Sequence, residues 1–106
     1  MTKYEIPLPK RIKVGGFTYT IDLSKKRNQE LQSKTCWGDQ SPQLRRISID
    51  TTISIEQFTE STIHEFVHAA DDIYAGSSLK EDDVASISQG LFQIFSQLGI
   101  QFRPEC

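Results

Sequence analysis

The chain has few cysteines, no long apolar run and no dense basic cluster, and each scarcity excludes a class of protein. Its two cysteines, Cys36 and Cys106, are too few for a disulfide framework. No segment approaches the roughly 18 consecutive apolar residues that a membrane-spanning helix requires. The charge is nearly balanced, with 12 Lys and Arg against 14 Asp and Glu, which argues against nucleic acid or an anionic membrane as a direct partner. We therefore expect a cytoplasmic protein.

The N-terminal half has the patterns of short strands and turns. Alternating apolar residues from Ile12 to Ile21 surround Gly15-Gly16 and predict a β-hairpin. A polar stretch from Ser24 to Lys34, with the only basic triplet at 25–27, predicts a solvated loop or an irregular turn of helix. A third strand is expected at Cys36–Gly38, a turn at Asp39–Gln43, and a fourth strand at Arg46–Asp50.

The C-terminal half predicts two helices. Ser54 followed by Gln57 fits a capping box, and no Gly or Pro interrupts the segment from Ile55 to Ala75. The second helix begins near Lys80 and ends at Gly99; the apolar stripe expected to face inward is Val84, Ile87, Leu91, Phe95 and Leu98. Strands first and helices second predict a single α+β domain over residues 1–106.

The two histidines of the chain both lie in one motif of the first helix, His64-Glu65-Phe66-Val67-His68. Residues four apart share one helix face, so two imidazoles can hold one metal ion, and zinc binds imidazole readily. Glu65 would lie beside a metal-bound water as the general base for attack on a peptide carbonyl. The motif therefore predicts a zinc site with hydrolytic chemistry.

An alternative is that the histidines are ordinary solvent-facing residues. At about 100° per residue, His64 and His68 lie nearly opposite an apolar cluster that includes Phe58, Phe66 and Ala69. The motif's glutamate and an available third ligand favour the metal site instead.

With no histidine left, the third protein ligand must be acidic or a cysteine. The acidic group at the start of the second helix comprises Glu81, Asp82 and Asp83. Glu81 lies at the edge of the inward stripe, Asp83 lies farther from it, and Asp82 points away, so Glu81 is the preferred ligand over Asp83. A simple favourable interaction of these acids with the helix dipole is the alternative. Cys36 or Cys106 would instead give a structural zinc site.

Several further residues are candidates for supporting roles. Asp71, and less so Asp72, would accept a hydrogen bond from a metal-bound imidazole; the alternative is that both are plain surface residues near the end of the helix. Tyr19 and Tyr74 are candidate oxyanion donors. Trp37 is expected to be a core or edge-covering residue, with a substrate platform as the alternative.

A substrate peptide would add as a strand to an exposed sheet edge. The segments Arg46–Asp50 and Cys36–Gly38 are the two candidates for that edge.

The chain resembles small bacterial and phage-encoded zinc peptidases of the zincin type, related to the ImmA/IrrE family and to the minigluzincins. The segments that carry the resemblance are Ile12–Gly16, Trp37-Gly38, Arg46–Asp50, His64–Tyr74 and Val84–Phe92. The resemblance implies a small twisted, mainly antiparallel sheet packed on the HExxH helix, followed by a second helix. It also implies zinc held by His64, His68 and Glu81, with Glu65 as base.

What the resemblance implies about activity is peptide-bond hydrolysis in a cytosolic protein. ImmA-like proteins act on DNA-binding repressors, so the expected partner is a protein or peptide substrate. Small minigluzincin-like proteins can be latent. A catalytically silent zinc-binding interaction or regulatory protein, of phage or mobile-element origin, is therefore the alternative function.

Overall fold

A computed structural model describes residues 3–104 of the chain, and these residues form an α+β fold, as predicted. The described part contains, in chain order, β1 Tyr4–Pro7, β2 Arg11–Val14, β3 Phe17–Ile21, α1 Lys25–Ser33, β4 Gly38–Ser41, β5 Arg46–Ile49, α2 Ile55–Tyr74, α3 Glu81–Gln97 and β6 Ile100–Arg103.

Strands β2, β3, β5 and β4 form one sheet, in that order. The predicted hairpin is confirmed: β2 and β3 are antiparallel, and Gly15 supplies the positive φ of 61° that their turn requires. Strand β5 pairs in parallel with β3 and antiparallel with β4. The sheet is thus mainly antiparallel, and β4 lies at one edge of it.

The prediction of a loop or irregular turn at Ser24–Lys34 is wrong, because α1 is a regular helix from Lys25 to Ser33. The Ser24 hydroxyl caps it by accepting a hydrogen bond from the Arg27 N–H (3.2 Å). Leu31 is its one buried apolar residue, whereas Arg27 and Asn28 are buried through polar contacts. A helix held in this way has little apolar periodicity to detect.

Two further differences concern strands. The third strand is shifted: β4 begins at Gly38 and takes up Asp39 and Gln40, which were expected in a turn. Strands β1 and β6 were not predicted at all, although they pair in parallel with Tyr4 opposite Ile100. Each has only four residues and finds its partner at the other end of the chain, so no local pattern marks it.

Helix α2 lies across one face of the four-stranded sheet, and α1 lies on the other. Ile47 and Ile49 of β5 point to the α2 side, where they pack with Phe58 in the main core. Ser48, which alternates with them, points to the α1 side and accepts a hydrogen bond from Arg27. The predicted capping of α2 is confirmed, since the Ser54 hydroxyl accepts from the Gln57 N–H (3.2 Å).

Helix α3 packs on α2 and ends before Gly99 (φ 77°), as predicted, but its inward stripe differs from the expected one. Val84 and Ser88 are buried, and Phe95 packs against Phe102 of β6. Ile87 and Leu98 were expected inside and are 44% and 57% exposed. None of the helices in residues 3–104 has the length and apolarity needed to cross a membrane.

Candidate metal centre

Three potential metal ligands converge where the start of α3 meets the middle of α2. His64 and His68 lie one turn apart on α2, and Glu81 is the first residue of α3. The Glu81 carboxylate lies 2.8 Å from Nε2 of His64 and 2.9 Å from Nε2 of His68. One ligand atom from each residue lies within 4.8 Å of the others. Both imidazoles therefore present Nε2 to one point in space.

The short connection between α2 and α3 brings Glu81 to the histidines. Asp71, near the end of α2, is buried, and its carboxylate accepts a hydrogen bond from the Leu79 N–H (3.3 Å). Asp72 accepts one from the Ser77 hydroxyl (2.5 Å), and Ser77 itself has a positive φ of 58°. Both aspartates therefore fix the turn that positions α3, a role that differs from both sequence interpretations, as imidazole partners or as plain surface residues.

The two other acids of this helix turn lie apart from the histidines. Asp82 is exposed, and the Asp83 carboxylate accepts a hydrogen bond from the Lys80 N–H (3.4 Å) at the start of α3. Among the three acids considered from the sequence, Glu81 alone joins His64 and His68 in the group of potential ligands found in the described residues.

The donor set suits a divalent metal of the zinc type. Two neutral imidazoles and one carboxylate are the three protein ligands found in hydrolytic zinc sites, which keep a fourth position for water or substrate. The imidazole side chains are 25% and 23% exposed, and that of Glu81 is 67% exposed. A metal held by these atoms would therefore be reachable from solvent, and the histidines are not the freely solvated pair of the alternative interpretation.

Glu65 lies next to the triad and is almost fully buried, at 7% exposure. Burial, and then the negative charges of Asp39 and Glu81, raise the pKa of its carboxyl to about 8. No Lys or Arg in the described part of the chain lies within ion-pair distance of it. A cation placed at the triad would lower this pKa and favour the carboxylate form.

The backbone of edge strand β4 lies directly against Glu65. A Cβ atom added to Gly38 would lie 3.3 Å from Glu65 Oε2 and 3.2 Å from the Ser48 carbonyl oxygen. Of the two edges considered from the sequence, Arg46–Asp50 is wrong, because β5 lies between β3 and β4. The exposed edge beside the triad is β4, which begins at the last residue of the other candidate, Gly38.

A second charged cluster holds β4 from the opposite face of the sheet. Arg27 of α1 is 3% exposed, and its guanidinium donates to both carboxylate oxygens of Asp39 (2.7 and 2.6 Å) and to Glu30. Burial by itself lowers the pKa of Arg27, but the hydrogen bonds and charges of Asp39 and then Glu30 outweigh it and raise that pKa. The basic triplet is therefore not simply a solvated segment.

A groove of about 250 Å³ opens beside the triad, between the start of β4 and the preceding turns of α2. We call it the Trp37 groove, and its lining residues are Cys36, Trp37, Gly38, Gln57, Glu60, Ser61, His64 and Glu65. Trp37 is 56% exposed. It therefore lines a surface depression next to the candidate catalytic glutamate and is not a core residue.

None of the other described candidates belongs to the group of potential metal ligands. Tyr19 is fully buried in the main core, which contradicts a role as oxyanion donor. Tyr74 is 75% exposed at the end of α2, near the Gly15 turn. Cys36 is an exposed free thiol outside the group of potential ligands, and Cys106 lies outside the described residues.

Three residues near the site carried no signal in the sequence. Asp39 and Gln40 line the pocket that contains the triad, and Arg27 positions Asp39. Asp39 and Gln40 read as turn residues and Arg27 as part of a solvated triplet. Only the pairing of β4 with β5, which places Gly38 opposite Ile49, brings this strand beside α2.

No family model, curated protein or solved structure matches the chain. Function is therefore argued from the side chains of the site.

Proposed function

We propose that the protein is a zinc-dependent peptidase that hydrolyses a peptide bond in a cytosolic protein. The observation that carries the proposal is the convergence of His64 Nε2, His68 Nε2 and the Glu81 carboxylate beside a buried glutamate. Helix-borne histidines four residues apart, with an acid from the next helix, suit zinc and leave it one open position.

Zinc bound by these residues would supply a Lewis acid that polarises the peptide carbonyl and lowers the pKa of a water molecule. Glu65 would take the proton of the attacking water and pass it to the departing amine. Its burial beside Gly38 restricts the positions its carboxylate can adopt. A cation at the triad would lower the pKa of Glu65 from its raised metal-free value, so that the carboxylate is available to accept the proton of water.

The substrate would be an extended segment of a protein chain. Strand β4 is a sheet edge beside the triad, and a peptide can add to such an edge through backbone hydrogen bonds. The sequence resemblance to ImmA-like peptidases makes a DNA-binding repressor the first class of substrate to test. It also favours a phage or mobile-element origin and action in the cytoplasm.

The direct test is hydrolysis of a quenched fluorescent peptide library by zinc-loaded wild type and by Glu65→Gln. We expect cleavage by the wild type and a loss of at least about 100-fold in Glu65→Gln, because the proton acceptor is removed while the zinc ligands stay. Glu56→Gln is the matched control: it makes the same change in the first turn of α2, where Glu56 lines a different pocket.

Equal cleavage by wild type and Glu65→Gln would contradict this mechanism. A wild type that binds zinc and cleaves nothing in the library would instead favour the silent zinc-binding protein.

A further inference from the structure

We propose that the Trp37 groove makes the protein selective for peptides with a basic side chain, arginine or lysine, beside the scissile bond. The inference rests on the proposed function for the position of the scissile bond. The selectivity itself follows from the shape and the charge of the groove.

The groove is placed to receive a substrate side chain. It shares Gly38, His64 and Glu65 with the pocket that contains the potential metal ligands. A peptide bond held at the triad would therefore have a neighbouring side chain at the mouth of the groove. A volume of about 250 Å³ accommodates one long, unbranched side chain.

The polar groups of the groove favour a cation. Glu60 contributes a carboxylate, one oxygen of which accepts a hydrogen bond from Gln89 of α3. Gln57 uses its amide N–H to donate to the Ser61 hydroxyl (3.2 Å), so its amide oxygen remains an acceptor. Among the residues that the structure describes, no lysine or arginine lines the groove. Inside the groove an acidic side chain would meet the charge of Glu60, and the nearest compensating charge would be the cation at the triad, at the mouth of the groove.

Trp37 adds an aromatic surface to the same groove. The indole is more than half exposed. An indole face attracts a guanidinium or ammonium group and also covers the methylene stem of a long side chain. An apolar substrate residue would gain only the contact with the indole. The combination of Glu60 and Trp37 therefore distinguishes basic side chains from both acidic and apolar ones.

The test uses three capped heptapeptides with a central arginine, leucine or glutamate and otherwise the same alanine and glycine residues. Zinc-loaded Glu65→Gln binds them without turnover, and fluorescence follows binding because Trp37 is the only tryptophan in the chain. We expect the arginine peptide to bind about tenfold more tightly than the leucine peptide, and the glutamate peptide to bind most weakly. Equal affinities, binding of none of the three, or a preference for leucine or glutamate would overturn the inference.

Substitutions of Glu60 locate the selectivity. In the Glu65→Gln background, Glu60→Gln should remove most of the preference for arginine, and Glu60→Lys should shift it toward the glutamate peptide. Glu56→Gln removes a charge one turn earlier on α2, outside the groove, and should leave the preference unchanged. Thermal melting checks that each variant folds. A preference that survives Glu60→Lys would overturn the assignment to this groove.

Failure of this inference is distinguishable from failure of the proposed function. Cleavage of the library by the wild type without preference for basic residues would overturn the selectivity and keep the peptidase. Preferential binding of the arginine peptide by a protein that cleaves nothing would support the selectivity of the groove and overturn the peptidase activity.

Discussion

Two charged clusters lie on opposite faces of strand β4, and they differ in how their charges are compensated. On the α1 side, Arg27 and Lys34 face Glu30 and Asp39, so two cations meet two anions. On the α2 side, Glu65 and Glu81 lie beside two histidines, with no lysine or arginine at ion-pair distance in residues 3–104. The acids on the α1 side are therefore neutralised by side chains of the protein, whereas within the same described range those on the α2 side have no lysine or arginine as a partner.

We interpret the difference as that between a structural cluster and a candidate metal site. A buried guanidinium with all its partners holds α1 to the sheet and fixes Asp39 on β4. A buried carboxyl whose pKa is raised to about 8 lowers the stability of the metal-free protein at neutral and alkaline pH. A buried carboxyl with a raised pKa that lowers stability is typical of sites that bind or transform a ligand.

Arg27→Met should be strongly destabilising. It removes the guanidinium, leaves Glu30 and the Ser48 hydroxyl without their partner and leaves Asp39 with only Lys34 at 3.9 Å, at an expected cost of about 3 kcal/mol in the free energy of unfolding. Urea denaturation measures it. Lys26→Met is the control, because Lys26 is exposed on the same helix and should change stability by less than about 0.5 kcal/mol. Equal effects would contradict a structural role for the α1 cluster.

Glu81→Ala should weaken zinc binding by at least about 100-fold. Removing a residue that only hydrogen-bonds to a metal ligand already lowers metal affinity by up to about 100-fold, and removing a ligand itself should lower it at least as much. In the metal-free protein the same change should cost under about 1 kcal/mol, since Glu81 is largely exposed. Competition with a fluorescent zinc chelator measures the affinity. Asp83→Ala removes a neighbouring acid and serves as the control. If Asp83→Ala bound zinc more weakly and Glu81→Ala bound zinc as tightly as the wild type, the assignment of Glu81 as the third ligand would be wrong.

Glu65→Gln should stabilise the metal-free protein above acidic pH. The folded pKa of about 8 exceeds the ordinary 4.5, so the wild type loses stability as pH rises from about 4.5 to about 8 and little beyond that. The variant lacks this loss of stability, so its advantage in the free energy of unfolding should be absent at pH 4 and at least about 2 kcal/mol at pH 9. Denaturation in chelator at both pH values measures it. A pH-independent difference would contradict the account of Glu65.

Gly38→Ala should lower peptidase activity about tenfold with a stability cost near 1 kcal/mol. The new methyl group would press on the Glu65 side chain and on the Ser48 carbonyl, and a small displacement of a catalytic group is costly. The ratio of kcat/KM values measures the effect. Gly16→Ala adds the same methyl group where no atom lies within 4 Å and should leave activity unchanged. Unchanged activity in Gly38→Ala would separate β4 from the chemistry.

The sequence predicted those parts of the fold that are specified locally. The hairpin around Gly15-Gly16 and the helix after Ser54 follow from alternation and capping. Helix α1 was not predicted because polar contacts to β4 and β5 bury its face. Strands β1 and β6 depend on a pairing between distant segments. In α3 the apolar residues surround much of the helix, so periodicity alone did not identify Ile87 and Leu98 as exposed.

The same division applies to the site. The spacing of His64 and His68, and the position of Glu81 at the start of the next helix, were readable because each follows from helix geometry. The contacts of Gly38 with Glu65, and of Arg27 with Asp39, required the register of β4 on β5. Tyr19 was misread as a candidate donor because a buried tyrosine of a strand has the same local pattern as an exposed one.

A zinc ion would complete the cluster on the α2 side. Calorimetric titration of chelator-treated wild type with zinc measures this binding, with His64→Ala/His68→Ala as the comparison. We expect one zinc ion per wild-type chain and no comparable binding in the double variant. Substoichiometric binding by the wild type, or equal binding by both proteins, would contradict this expectation.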